Sequence, residues 1–423
     1  MKMLSYQLKR IGLTGLLIGV LLISGCADVF RDRQGGEEPV GGQPPAYGAD
    51  AQEEATAPGT EYAADAAGQE ETVGEGSGWQ ETEPGSETDG GYYYGMLTDD
   101  GQRVMYAQML NSMRQMGQDE ELICQDEDLL YRIFCAVLAD HPELFYVTGY
   151  TYARVTQGGE VMHMRFSASY SMSQAEVARC KSGIDEYVET CLSYLPAGQD
   201  DYAKIRYLYE YVICNTEYDL QAPENQNICS VFLYGRSVCQ GYAKAFQYLC
   251  KRAGIDATLV TGRIKESGYG HAWNLVRSNG AYYYVDATWG DASYTMDGGA
   301  ASSGLPDVNY EYLCVTTEQI ERTHEIDMSV AQMPYCTATD DNYYVRGHAF
   351  FSSFDEGALD TFFANRVGKY VTFRCETADV YSSYYEYLIG QEHIFDYMDS
   401  DAGVSYSDNE ETLTFGFWLP ESL

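Results

Sequence analysis

Between Ser237 and Gly254 the chain reads SVCQGYAKAFQYLCKRAG, with Val238, Tyr242, Ala245, Phe246, Leu249 and Ala253 at the three-to-four spacing of one helix face. Gly254 supplies the left-handed stop after the last turn. Ser237 fits the N-cap, which puts Cys239 in the first turn. There the unpaired N–H groups and the positive end of the helix dipole stabilise a thiolate. A cysteine so placed is set for reactivity; in mid-helix it would be set for packing.

Upstream, the same period predicts helices over 98–117 and 126–139, the second stopped by Pro142. TYARVT and VMHMRFSASY alternate as a hairpin around QGGE. SMSQAEVARCKSGIDEYVETCLSYL opens with Ser and a following Glu, a helix-start signal, and ends at Pro196 and Gly198. DDYAKIRYLYEYVICNTEYD is another amphipathic helix. After Gly254 the period changes to two. IDATLVTGRI, HAWNLV and AYYYVDATW read as strands, the last two joined through Asn279-Gly280, a two-residue hairpin turn. A Gly/Ser/Asp-rich loop runs from Thr288 to Asp307, and Pro334 with TATDDNYYV marks a junction. Residues 343–423 then read strand, helix, strand (YVTFRC), helix (YSSYYEYL) and strand (TLTFGFWL), so the fold class is α+β.

The N-terminus follows different rules. Lys2, Lys9 and Arg10 precede a 13-residue apolar run, residues 11–23, too short to span a bilayer comfortably. Ser24, Gly25 and Cys26 come next, and ISGC resembles the lipobox of bacterial lipoproteins. That resemblance implies cleavage before Cys26, lipid on its sulfur and a durable hold on a membrane. Residues 27–95 carry 16 acids against two arginines, rich in Gly, Ala, Pro and Thr. Such a stretch buries too little to offset chain entropy and is expected to be a disordered tether, about 45 Å across as a coil.

Residues 96–423 are acidic as well, with 21 Lys plus Arg against 48 Asp plus Glu. Acidity of that size argues against nucleic acid as a partner, since phosphate contacts need a basic face. No C-x-x-C occurs among the 12 cysteines, so zinc ribbons and thioredoxin-like motifs are poorly supported. Most cysteines are expected to be small apolar fillers.

The hairpin turn fixes a register. With Asn279 and Gly280 as turn residues, Ser278 pairs with Ala281, and Asp286 falls opposite Trp273 on the face that carries His271. His271 and Asp286 become diagonal neighbours, and a carboxylate beside an imidazole fixes its tautomer and stabilises its cation. Should the register slip by one, Asp291 is the next carboxylate to consider. Thiol, base and orienter together meet the requirement of cysteine-dependent acyl transfer. A metal site built from Cys239, His271 and Asp286 would need a further ligand. His324 and His348 have no partner that the pattern identifies.

SVCQGYAKAFQYLCKRAGI, GHAWNLV and YYYVDATWGD resemble, in order, the three core motifs of the transglutaminase-like superfamily. The resemblance implies a papain-like core with the cysteine helix packed on an antiparallel sheet. It assigns Cys239 as nucleophile, His271 as base and acid, and Asp286 as orienter, with no cofactor and no metal. The implied substrate is a peptide or protein amide of the cell envelope. An acyl-thioester would be resolved by water or an amine. For the oxyanion, the Cys239 N–H and the Tyr218 hydroxyl are the candidates, with Gly241 permitting close approach. Trp273 and Trp289 are expected to wall the thiol or fill the core. The expected organisation is a signal over 1–25, a tether over 26–95 and an N-terminal α+β region over 96–199. A catalytic core over 200–333 and a small α+β domain over 334–423 complete it. The pattern sets no oligomeric state. A competing expectation is an envelope binding or scaffolding lipoprotein that keeps the fold without the chemistry.

Overall fold

The computed structural model describes residues 6–8, 91–157, 160–195, 197–291, 308–398 and 403–419. Cys26, the acidic stretch up to residue 90 and the loop over 292–307 lie outside them. The described chain forms two compact units. One holds 91–288 with 316–338; the other holds 308–315 and 339–419 with 6–8 and 289–291.

The first unit contains the residues of interest. Its helices begin where short polar side chains can take orphan N–H groups. Asp99 caps Asp100–Gln115, Asp126 caps Glu127–Asp140, and Asp200 caps Asp201–Cys214. Ser173 and Glu176 form a reciprocal capping box at the start of Gln174–Ser193. Strands Val147–Gln157 and Glu160–Tyr170 pair as the expected hairpin, extended by Glu120–Leu122 into a three-stranded sheet.

The expected start of the fold moves upstream. Residues 92–95, read as the end of the tether, form a helical turn, and Tyr93 is buried with its hydroxyl donating to Leu259 O at 2.9 Å. Asp140 accepts from the backbone N–H groups of Tyr93 (3.0 Å) and Tyr94 (2.8 Å). Three aromatic residues in a row give this segment enough burial to be held.

Helix Cys239–Arg252 packs on the four-stranded antiparallel sheet, ordered His324–Ile326, Ala257–Ile264, Gly270–Ser278, Ala281–Val285. Tyr242, Ala245, Phe246, Leu249 and Cys250 on its inner face are fully buried. Burying each large apolar side chain contributes about 1.5–3 kcal/mol relative to exposure. Asn274, fully buried on the sheet, donates through Nδ2 to Ala243 O at 3.0 Å and to Thr258 O at 3.2 Å, stapling helix to strand. Gly254 has φ of +76° and stops the helix as its position predicts.

Two local expectations change. The N-cap is Val238, without a side-chain cap, and not Ser237. Ser237 Oγ turns back to Ser230 Oγ at 2.6 Å and to Asn225 O at 3.1 Å. Gly241 explains why: a Cβ there would stand 1.9 Å from Ser237 Oγ and 2.9 Å from Asn225 O, so the preceding segment folds across the first turn. The third strand ends at Val285, and Ala287–Gly290 is a helical turn instead of more strand.

The second unit builds a sheet from Phe350–Phe351, Tyr370–Cys375, Thr414–Trp418 and Val404–Asn409, over a core including Leu359, Phe363, Phe373, Phe415 and Phe417. Tyr6–Leu8 adds an edge strand along Val404–Asn409. Val404–Asn409 was not expected, because VSYSDN lacks the apolar alternation of its neighbours. Glu311 is buried with donor partners: Thr414 at 2.7 Å, Asn409 at 2.8 Å and Thr412 at 2.9 Å all donate to its carboxylate.

Candidate active site

The hairpin register is the predicted one: Ser278 pairs with Ala281 and Asn274 with Val285. Asn279 and Gly280 both have positive φ, 47° and 91°, as a primed turn requires. Continuing that register beyond Val285 brings Asp286 to His271. His271 Nε2 lies 2.7 Å from Asp286 Oδ2, and both side chains are buried.

An ionised carboxylate only accepts, so His271 Nε2 carries the proton and Nδ1 is left for other work. The Cys239 thiol lies close enough to the imidazole to favour its protonated form. Burial alone would push His271 down; the Asp286 charge and hydrogen bond, then those of Cys239, overcome it and raise the imidazole to about 10. Burial pushes Asp286 up, but the His271 charge and hydrogen bond and the His324 hydrogen bond outweigh it and hold the carboxyl well below the usual range.

Cys239 is the first residue of its helix and is half-buried. Most other thiols sit in the core, where burial pushes Cys135 up to about 12 and Cys191 and Cys336 up to about 11. Among the described residues, Cys214 is the exposed thiol.

His324 belongs to the site, which the sequence pattern did not show. Its Nε2 lies 3.2 Å from the same Asp286 Oδ2, and its Nδ1 lies 2.7 Å from Thr323 Oγ1. The link is made by topology: His324–Ile326 pairs with Ala257–Ile264, which separates it from His271 by one strand. A histidine 38 residues beyond the carboxylate, on a three-residue strand, leaves no periodic signal.

Trp273 is fully buried, stacks on His271 (5.9 Å, 23°) and sets its edge on His324 (4.9 Å). It therefore packs the imidazoles. Tyr218 pairs with Ser237 in a short parallel bridge, two residues before Cys239. Gln240 is buried. Among the described residues, the cluster compact enough to hold a metal is His271, Asp286 and His324, whose ligand atoms lie within 4.8 Å of one another. Both imidazole nitrogens stand at hydrogen-bonding distance from one carboxylate oxygen, which makes Asp286 a shared acceptor.

Comparison with known proteins places this site in context. Residues 192–287 match the model of the transglutaminase-like superfamily. The kyphoscoliosis peptidase of Homo sapiens is 29% identical over 131 residues, covering 27% of this chain and 19% of the relative. That of Mus musculus is 30% identical over 135 residues, covering 28% and 20%. The chain thus spans about a fifth of the length of these curated relatives. A crystal structure of a TGase aligns with 13% identity and a TM-score of 0.26, over 38% of this chain and 50% of the other. Residues 192–287 are a transglutaminase-like domain.

Proposed function

We propose that the chain is a cysteine-dependent enzyme of the cell envelope that acts on peptide or protein amides. The observation that carries this reading is the joint placement of a helix N-terminal thiol, a buried imidazole whose protonation that thiol favours, and a carboxylate 2.7 Å from the imidazole. In the first step the Cys239 thiolate adds to the amide carbonyl. The His271 imidazolium, charged at neutral pH by its two partners, gives its proton to the leaving amine as the C–N bond breaks. An acyl-thioester and neutral His271 remain. His271 then takes a proton from water or a primary amine, whose attack breaks the C–S bond, releases acid or a new amide and restores the thiolate beside the imidazolium.

The Cys239 N–H and the Tyr218 hydroxyl are proposed to receive the oxyanion; the register of Tyr218 with Ser237 keeps that tyrosine beside the catalytic turn. The relatives named as peptidases favour water as acceptor. Among the described residues no helix is long and apolar enough to cross a membrane. Lipid on Cys26 is proposed as the anchor, at the extracytoplasmic face, and Cys26→Ala protein should leave the membrane fraction. Protein of that variant that still pellets and resists carbonate would overturn the anchor.

Mass spectrometry of envelope peptides incubated with wild type and with Cys239→Ala tests the activity. Release of peptide or ammonia that needs Cys239 marks a hydrolase; incorporation of an added amine marks a transferase. No thiol-dependent change in any envelope peptide would favour the binding or scaffolding alternative.

A further inference from the structure

We infer that His324 is a positioning residue: its imidazole clamps the Asp286 carboxylate so that His271 keeps its face toward Cys239. The inference rests on the thiol-enzyme reading above, and His324 lies outside the segment that matches the superfamily model, residues 192–287.

Sheet register brings the two imidazoles together. His324 pairs with Ile264, Ile326 with Gly262, and Gly262 with His271. Paired residues share a face, so His324 and His271 stand diagonally across Gly262. Gly262 has no side chain to fill the gap, and the imidazole centroids approach to 5.2 Å. A Cβ on Gly262 would stand 2.7 Å from Trp273 Cη2, in the space that Trp273 occupies against both rings.

The carboxylate then has three donors from three segments. Oδ2 accepts from His271 Nε2 at 2.7 Å and from His324 Nε2 at 3.2 Å, while Oδ1 accepts from the Thr288 N–H at 2.9 Å. The bond from His271 cannot hold that oxygen independently, because His271 is the group it has to orient. His324 supplies an independent hold from the neighbouring edge of the sheet. Burial, the Asp286 hydrogen bond that opposes it and the His271 charge together leave His324 below its ordinary value. It is therefore neutral when His271 is charged, and donates without cancelling the Asp286 charge that His271 needs. With Nε2–H given to Asp286, a neutral His324 accepts at Nδ1, where the Thr323 hydroxyl lies 2.7 Å away and closer than it lies to Ile320 O at 3.4 Å, so Thr323 is assigned as the donor that favours the Nε2–H tautomer.

The test is the iodoacetamide alkylation rate of Cys239 in the full chain at pH 7, read site by site by mass spectrometry, with Cys214 as reference. His324→Leu should slow Cys239 about tenfold or more, the scale of a misplaced catalytic group, and leave Cys214 unchanged. His324→Gln, whose amide N–H reaches the same oxygen, should stay within about threefold of wild type. A merely structural histidine would not be rescued this way. Should His324→Leu fail to fold, Thr323→Val keeps the test, with an expected slowing of about threefold. The inference is overturned if His324→Leu labels at the wild-type rate, if Gln falls as far as Leu, or if Thr323→Val changes nothing. Fast Cys239 labelling in wild type and in His324→Leu removes only the positioning role. Cys239 labelling no faster than Cys214 in wild type removes the enzyme reading itself, and the inference with it.

Discussion

His271 Nε2 stands 2.7 Å from Asp286 Oδ2, both buried and joined by one hairpin, so the proposed base and its orienter are paired before any substrate arrives. The pair is made by a two-residue turn, Asn279 and Gly280, whose positive φ angles fix every register position up to Asp286. Preorganisation of this kind removes the cost of assembling the base during the reaction.

The three residues should therefore not be equally costly to lose. Cys239→Ala and His271→Ala each remove the covalent route and should lower turnover by about 10⁶-fold. Asp286→Asn keeps thiol and imidazole but offers an amide to a ring N–H, and should be about 10- to 100-fold less severe. Turnover of any envelope peptide identified as substrate, measured across the three variants, checks the order.

The site should also be visible in stability against pH. His271, raised to about 10 from 6.5, binds an extra proton in the folded state between those values. Its stabilisation is complete below pH 6.5 and is lost as pH climbs toward 10. His324 is shifted the other way, so its contribution is present above pH 6.5 and fades below it. Denaturant unfolding should peak near pH 6.5, then weaken by up to about 1.4 kcal/mol per pH unit, the slope of one proton. Buried cysteines, which ionise at about pH 8.5 once unfolded, add to that slope above pH 7, so the histidine's share is the part that His271→Gln should remove. An unchanged slope in that variant would mean His271 is not held protonated.

Truncation should locate the start of the fold. A chain beginning at residue 91 keeps the burial of Tyr93 and both N–H bonds to Asp140 and should melt like one beginning at residue 26, which equally lacks the Tyr6–Leu8 edge strand. One beginning at residue 96 loses them and leaves Asp140 with the Tyr106 hydroxyl, 2.9 Å away, as its remaining donor among these. That should cost about 2–4 kcal/mol by chemical denaturation.

Gly262→Ala probes the gap between the two imidazoles. The added Cβ would stand 2.0 Å from Glu325 O, a backbone atom, so the strand carrying His324 has to move. A loss of about 1–3 kcal/mol is expected from overpacking, with slower Cys239 alkylation. Wild-type behaviour on both measures would show that the strand has more room than the geometry indicates.

How much of this was readable from residues alone follows from the range of each interaction. The cysteine helix, its glycine stop and the hairpin register come from contacts within about one turn or one ladder, and local periodicity encodes those. The packing of that helix on an antiparallel sheet came from the resemblance of the three motifs, because local periodicity does not encode which elements meet. Ser237 misled because its hydroxyl is spent on Ser230 and Asn225, partners that only the folded segment brings near. His324 was missed because a three-residue strand pairs it to the sheet from outside the hairpin. The turn after Val285 was hidden in an apolar run; Asp286 Oδ1 accepting from the Thr288 N–H bends it into a helical turn.

Site-resolved alkylation is the most direct test of a reactive Cys239. A brief iodoacetamide pulse at pH 7, followed by peptide mapping, compares wild type with His271→Ala. Cys239 should be modified before Cys214, although Cys214 is the more exposed thiol, and His271→Ala should bring Cys239 down to the Cys214 rate. A Cys239 that labels no faster than Cys214, or whose speed survives the loss of His271, would contradict a thiol activated by the His271–Asp286 pair.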